Sequence, residues 1–234
     1  MLMIDEQKDN CGSVRPTIGK PTVGSSTVFN EDCMSVMARY PDKYFDLAIV
    51  DPPYGIKRDG HTGVKAKNPN HNWRQHEFKG WDNERPKAEY WDELFRVSKN
   101  QIVFGANYFT EFIPPSMGWI FWDKNQTLTM SDGELIFTSF NKALRRFILN
   151  RGWMVNDGGV IHPTQKPSKL YDWIYDNYAK DAKSIIDTHL GSGSNRIAAH
   201  KHNLEFVGCE IDAEYFAAQE ARFKEFTSQL RLFG

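Results

Sequence analysis

The chain is expected to fold as an α/β domain, doubly wound about a mainly parallel sheet, on three observations. From Thr27 onward, strand-like and helix-like segments alternate, the pattern that lays helices on a parallel sheet. The run Phe45-Asp46-Leu47-Ala48-Ile49-Val50 is nearly all apolar and ends at Asp51-Pro52-Pro53-Tyr54, so it reads as a buried strand with a turn at its carboxyl end. A second apolar stretch, Lys183 to Ile186, leads through Leu190-Gly191-Ser192-Gly193 into a helical pattern, as strand-to-helix connections in open α/β sheets do.

The elements follow in order. Residues 1–26 hold Gly12, Gly19, Gly24, Pro16 and Pro21 with few apolar anchors and are expected to form a flexible N-terminal arm, leaving 27–234 as one domain. Helices are expected at Asp32 to Tyr40, Lys87 to Val97, briefly at Ala106 to Phe112, and at Ser168 to Ala179, Ser194 to His202 and Ala213 to Phe226. Strands are expected at Tyr44 to Val50, Gln101 to Phe104, Trp119 to Trp122, Glu134 to Ser139, Lys183 to Ile186 and Glu205 to Cys209. In the helix from Ser168, Leu170, Trp173, Ile174 and Tyr178 fall on one apolar face, with Pro167 placed as a first-turn proline. Between Lys57 and Pro86 periodicity fails, and a loop of about 30 residues exceeds the roughly 12–15 that compact domains carry without purpose. Loops of that kind often bind substrate.

Composition narrows the function classes. With 234 residues, 40% hydrophobic and 14% aromatic, the chain can build one substantial core. At a mean hydropathy of −0.58 and without about 18 consecutive apolar residues, no membrane span is expected. The start MLMIDEQKDN has neither a basic nor an apolar leader region, so a cytoplasmic location is expected. Cys11, Cys33 and Cys209 are distant and odd in number, which suits free thiols and gives no zinc spacing; no metal is expected. Net charge is −1, yet Ile56 to Gly80 carries six basic residues against two acidic, and Arg145, Arg146 and Arg151 form a second basic knot. Such runs are usually solvated, and beside a nucleic-acid site they would hold phosphates.

Two constellations carry chemistry. In Asp51-Pro52-Pro53-Tyr54 the prolines lack N–H groups and keep the backbone extended, so a carboxylate, a fixed carbonyl and a ring together suit the exocyclic amine of a planar heterocycle. In the second, Asp187-Thr188-His189-Leu190-Gly191-Ser192-Gly193-Ser194, the glycines let backbone approach a ligand before a helix starts. Glu210, 17 residues after Gly193 and at the end of the next strand, could accept both hydroxyls of a ribose. The phosphate-binding forms of such turns are not matched, which favours an adenosine compound without a pyrophosphate.

With these residues in place, the chain resembles the β-class amino-methyltransferases of DNA, which use S-adenosylmethionine. The likeness lies in Asp51-Pro52-Pro53-Tyr54, His162-Pro163-Thr164-Gln165-Lys166-Pro167, Leu190-Gly191-Ser192-Gly193, Val207-Gly208-Cys209-Glu210-Ile211-Asp212 and Asn30-Glu31-Asp32-Cys33. It spans residues 28 to 226, with the catalytic tetrapeptide ahead of the cofactor turn, as in the circularly permuted β class. His189 stands where the family commonly has an aromatic, and Ser194-Asn195 where it has Thr-Thr.

The resemblance implies a Rossmann-like, permuted methyltransferase fold, S-adenosylmethionine as cofactor and DNA as partner, with a homodimer left open. It implies a substrate loop at 57–86 and a short target-recognition insertion at 125–159. Asp51 and the Pro52 carbonyl would accept the hydrogens of the target amine, with Pro53 fixing the turn and Tyr54 stacking on a base flipped from the duplex. Glu210 and Ile211 would hold the nucleoside, and Leu190, Gly191, Ser192 and Gly193 would form the turn beneath it. Asp32 would meet the adenine amine or merely cap its helix. Thr164 and Lys166 would meet the methionine carboxylate or serve as a cap and a solvated lysine, and Asp187 would reach the ammonium or form an Asx turn. His162 is read as a turn former. Asp in first position points to adenine N6. Cytosine N4 is the alternative, with an RNA base or protein amide, or a non-catalytic DNA-binding module, as further readings; the absence of a Pro-Cys motif argues against carbon-5 methylation.

Overall fold

The computed structural model describes residues 6–8, 14–16, 22–60, 78–126, 131–150, 153 and 159–233. Strands in chain order are β1 (Glu6–Lys8), β2 (Val14–Pro16), β3 (Ser26–Phe29), β4 (Phe45–Val50), β5 (Ser98–Phe104), β6 (Trp119–Asp123), β7 (Gly133–Thr138), β8 (Arg145–Ile148), β9 (Ser184–Asp187) and β10 (Glu205–Cys209). Helices are α1 (Cys33–Met37), α2 (Ala88–Val97), α3 (Ser168–Tyr178), α4 (Ser194–Lys201) and α5 (Ala213–Phe233).

Eight strands form one sheet in the order β3-β10-β9-β4-β5-β7-β6-β8. Only β7 opposes its neighbours, pairing antiparallel with β5 and β6; the other pairings in this sheet are parallel. Side chains alternate across the strands. Leu47 and Ile49 of β4 join Leu170 and Ile174 of α3 and Ala198 of α4 in one core. Ala48 and Val50 join Val36 of α1 and Trp91 and Leu94 of α2 in the other. Helices therefore cover both faces, and each fully buried Leu or Ile contributes about 1.5–3 kcal/mol. The α/β, doubly wound, mainly parallel expectation holds.

The winding places the site. From β4 the chain passes through α2 to β5 on one side; from β9 it passes through α4 to β10 on the other. β4 and β9 lie side by side, Leu47 opposite Ile185 and Ala48 opposite Ile186. Their seam is the switch point of the sheet, where open α/β sheets hold ligands at the carboxyl ends of the strands. Asp51 leaves one strand there and the glycine turn leaves the other.

Several elements differ from expectation. α1 is shorter than 32–40, since Tyr40 N–H bonds back to Met37 and Pro41 follows. β5 starts three residues early because α2 runs straight into it, with the Ser98 hydroxyl bonded to the Leu94 carbonyl at 2.5 Å. Residues 106–112 make only a 3₁₀ turn, Ala106–Tyr108. Pro167 flanks α3 as its N-cap instead of entering the first turn, and α5 runs on to Phe233. β3 and β8 were not expected. β8 holds Arg145 and Arg146, both exposed, because it is an edge strand, where charge discourages pairing with other chains.

Within the expected arm, β1 and β2 pair antiparallel; the remainder of 1–21 lies outside the described residues. The described part of 125–159 supplies β7 and β8 to the sheet. Residues 61–77 lie outside the described residues, among them Lys65, Lys67, Arg74, His61, His71, His76 and Trp73, as does Arg151.

Candidate active site

Two adjoining cavities open at the seam. The first, about 220 Å³, lies between Asp32, the glycine turn, Glu210 and the Thr164–Lys166 segment. The second, about 160 Å³, lies between the Asp51–Tyr54 turn, Trp122, Lys124 and Glu134. Asp51, Pro53, Trp81, Thr164, Gln165 and Lys166 line both and form the wall where the cavities meet.

The first cavity is walled by carboxylates and by the glycine turn. Asp32 caps α1, its Oδ1 accepting from the N–H groups of Met34 and Ser35 at 3.0 and 3.2 Å, which leaves its second oxygen out of the cap. Glu210 is held on both sides, Oε2 accepting from Gly191 N–H and Oε1 from Asp212 N–H, each at 2.9 Å. Burial raises its pKa, and the fixed oxygens keep lone pairs for further donors. Gly191 and Gly193 both have positive φ, 50° and 71°, a region glycine enters without penalty. His189 forms another wall, and burial pushes its imidazole down to about 4, so it is neutral at pH 7. Of the residues expected at the cofactor, Asp187 and Gly193 do not line this cavity. Gly193 instead caps α4.

Asp187 was expected to reach the methionine ammonium or to form an Asx turn. Its carboxylate is buried, with Oδ1 accepting from His189 N–H at 3.1 Å and Oδ2 from Asn195 Nδ2 at 2.9 Å. The same Asn195 nitrogen reaches the Ile49 carbonyl of β4. Asp187 therefore locks the seam and makes the Asx turn onto His189. His162 does more than turn the chain: its ring stacks on Trp81 and meets the edge of Tyr215, with centroids at 5.3 and 4.3 Å. Lys79 ties the same loop to the start of α5 through Asp212 and Glu214, at 2.8 and 2.7 Å.

The second cavity surrounds a buried charge network. The Tyr54 ring lies against Tyr108, centroids 4.9 Å apart and nearly parallel. Gly105, at φ 58°, makes room for it, since a Cβ there would stand 2.3 Å from Tyr54 Cζ. The Tyr54 hydroxyl lies 2.7 Å from Asp51 Oδ1 and 2.8 Å from Glu134 Oε1. Lys166 Nζ lies 2.6 Å from Asp51 Oδ2 and 3.2 Å from Glu134, and Lys124 lies 3.4 Å from Glu134. Lys166 is therefore no solvated lysine, and its charge is committed to the two carboxylates. Thr164 instead bonds His162 Nδ1 through its hydroxyl, at 3.1 Å. Burial raises the pKa of Asp51, with Lys166 opposing. Burial acts on Glu134 too, but Lys166 and Lys124 together hold it below the ordinary carboxylate value.

Glu134 and Lys124 were not expected here. The one signal was Glu134 opening an expected strand, and no local pattern says that this strand ends beside Asp51. Among the described residues, no group of three His, Cys, Asp or Glu is placed to hold a metal, and no helix is long and apolar enough to cross a membrane.

Comparison with known proteins follows the same lines. Residues 115–221, a little under half of the chain, match a family model described as DNA methylase, of the N6/N4 type; the Asp51 turn lies ahead of that stretch. YubD of Escherichia coli (strain K12), a methylase by assignment only, is 24% identical over 216 residues, covering 82% of this chain and 87% of its own. The type II methyltransferase M2.MboI of Moraxella bovis is 24% identical over 251 residues, covering 87% and 89%. Among solved structures, the M1.HpyAVI–SAM complex shares the fold at a TM-score of 0.56 and 18% identity, covering 84% of this chain and 98% of its own. The cytosine-N4-specific PvuII DNA methyltransferase does so at 0.53 and 13%, covering 91% and 94%. The family match and both curated relatives thus place this chain's similarity among DNA methylases of the N6/N4 type and methyltransferases.

Proposed function

We propose that the chain transfers a methyl group from S-adenosylmethionine to N6 of an adenine flipped out of DNA at a specific site. The observation that carries this reading is the shared wall: Asp51 faces both a cavity ending on Glu210 and a cavity lined by Tyr54, Trp122 and Pro52. The residues of the first cavity fit the cofactor, because Glu210 presents oriented oxygens to a ribose and Asp32 a spare one to an adenine amine. When bound, the cofactor supplies a methyl group activated by a sulfonium.

The chain's own work is at the amine. Asp51 and the Pro52 carbonyl accept hydrogen bonds from its two N–H groups and so direct the nitrogen lone pair toward the neighbouring cavity; once the methyl group has moved and the thioether has left, Asp51 is the carboxylate placed to take the proton that the nitrogen sheds. Because the acceptors are fixed before reaction, they stabilise the transition state without reorganising. The target must leave the duplex, since its amine is otherwise paired, and Trp122 and Trp81 offer the second cavity apolar surface for a planar base. Asp51 opening the tetrapeptide favours adenine N6 over cytosine N4. Tritiated S-adenosylmethionine, incubated with the protein and DNA, RNA or protein acceptors, tests the substrate class. Nucleoside analysis of labelled DNA then separates N6-methyladenine from N4-methylcytosine; label in RNA or protein alone, or no label, would overturn the reading.

A further inference from the structure

We propose that Glu134 is a positioning residue, which takes over Lys166 and the Tyr54 hydroxyl when the target amine takes its place on Asp51. The inference rests on the reading of Asp51 as the acceptor for that amine. Both Asp51 oxygens already face donors of the chain, Tyr54 at 2.7 Å and Lys166 at 2.6 Å. An incoming amine must share or displace them. Each of these donors also lies within reach of Glu134, at 2.8 Å for the hydroxyl and 3.2 Å for the ammonium. Freeing Asp51 is therefore a change of partner with little change of place. The hydroxyl has one hydrogen and can serve only one carboxylate at a time, so the two acids compete for it by construction.

The charges favour the exchange. Around Asp51 and Glu134 stand Tyr54 on the turn of Asp51, Lys124 after β6, Lys166 just ahead of α3, Tyr171 in the first turn of α3, and Asp187 at the end of β9. Glu134 has two cations beside it and stays ionised, whereas burial weakens Asp51 as an acid. Without Glu134, Lys166, only 6% exposed, would lose its alternative partner. A buried cation then holds its remaining carboxylate tightly, and a neutral amine would have to compete with a full charge for Asp51.

The test compares Glu134→Gln, Glu134→Asp and the double variant Lys124→Met/Glu134→Gln, which keeps the network neutral. Measured are kcat and KM for DNA, S-adenosylmethionine affinity by calorimetry, and the pH profile of kcat/KM. Glu134→Gln should lower kcat by about tenfold or more, with KM and cofactor affinity within about threefold. Its acidic limb should move to lower pH, because Asp51 loses a like charge and gains an exclusive lysine. Glu134→Asp should recover much of kcat, and the double variant should reproduce both the fall and the displaced limb. An unchanged plateau and limb in Glu134→Gln would overturn the inference. So would a double variant that regains both, since Glu134 would then serve only to balance Lys124; this variant also decides the matter if Glu134→Gln does not fold. Wild-type protein that methylates no DNA, or full activity in Asp51→Asn, would instead overturn the reading of Asp51 itself.

Discussion

Asp51 is asked to do two things that pull in opposite directions: to hold a buried lysine and to accept hydrogens from a substrate. That conflict decides which substitution is informative. Asp51→Ala would leave Lys166 short of a partner in a site where it is 6% exposed, and breaking a buried ion pair costs about 3–5 kcal/mol. Asp51→Asn keeps the shape and one oxygen, so it isolates the chemistry. It should lower kcat by about 10²–10³, or 2.7–4 kcal/mol, as removal of a preorganised transition-state hydrogen bond does, while calorimetry shows S-adenosylmethionine affinity within about threefold. Activity within tenfold of wild type would remove Asp51 from the amine. Glu210 should behave oppositely. Glu210→Ala deprives Gly191 N–H of its acceptor as well as the ribose, and unsatisfied donors cost about 1–3 kcal/mol each. Cofactor affinity should fall about tenfold or more, and an unchanged dissociation constant would take the nucleoside away from this strand end. Asp212 is a poor substitute, being already paired with Lys79.

At the end of β9 a buried carboxylate ties stability to pH. Asp187 is buried with no cation beside it among the described residues, and its pKa rises to about 7, mainly by desolvation. In the unfolded chain an aspartate titrates near 3.9. Between those values the folded state binds the proton that the unfolded state has released, so stability is fully present below about pH 4 and declines as pH rises toward 7. Asp187→Asn keeps the acceptor for His189 N–H and removes the titration. Urea unfolding of the cofactor-free protein at pH 5 and pH 8 should show the variant gaining relative to wild type at the higher pH, by up to about 2.6 kcal/mol. A gap independent of pH would mean that Asp187 stays ionised in the folded chain. The same strand shows what a sequence can tell. β4 and β9 were legible because each is a continuous apolar run ending in a turn with its own chemistry, and the turn after β9 needs glycine at two left-handed positions. Asp187 was legible as a strand end and not as a lock, because its partner Asn195 reaches across to the Ile49 carbonyl of a strand distant in sequence. β8 escaped for a different reason: an exposed edge strand carrying Arg145 and Arg146 has the composition of a loop.

At the scale of the whole molecule, the order of the segments around the seam was readable from Asp51, Lys166, the glycine turn and Glu210, but the charge network was not. Lys166, Glu134 and Tyr54 meet only because β7 runs against its neighbours and delivers its first residues to the carboxyl ends of the parallel strands. The loop from Lys57 to Pro86 poses the opposite case, in which the charge is plain in the sequence and much of the segment lies outside the described residues. Its described ends are anchored by backbone: Asp82 accepts from Gly55 and Arg58 N–H at 2.8 and 2.7 Å, and Lys57 N–H bonds the Asp82 carbonyl. The side chains of Lys57 and Arg58 are exposed, and Arg58 borders the second cavity. Their charges can therefore be removed without disturbing those anchors. Neutralising Lys57, Arg58, Lys65 and Lys67 to glutamine should weaken DNA binding and leave S-adenosylmethionine affinity within about twofold. Each phosphate that is no longer neutralised should flatten the dependence of log affinity on log salt by up to about one unit, because fewer counterions are released on binding. A solvated loop away from DNA predicts equal slopes for the two proteins. Titration of both against one duplex across several salt concentrations decides between these outcomes, and equal slopes would separate this loop from the DNA.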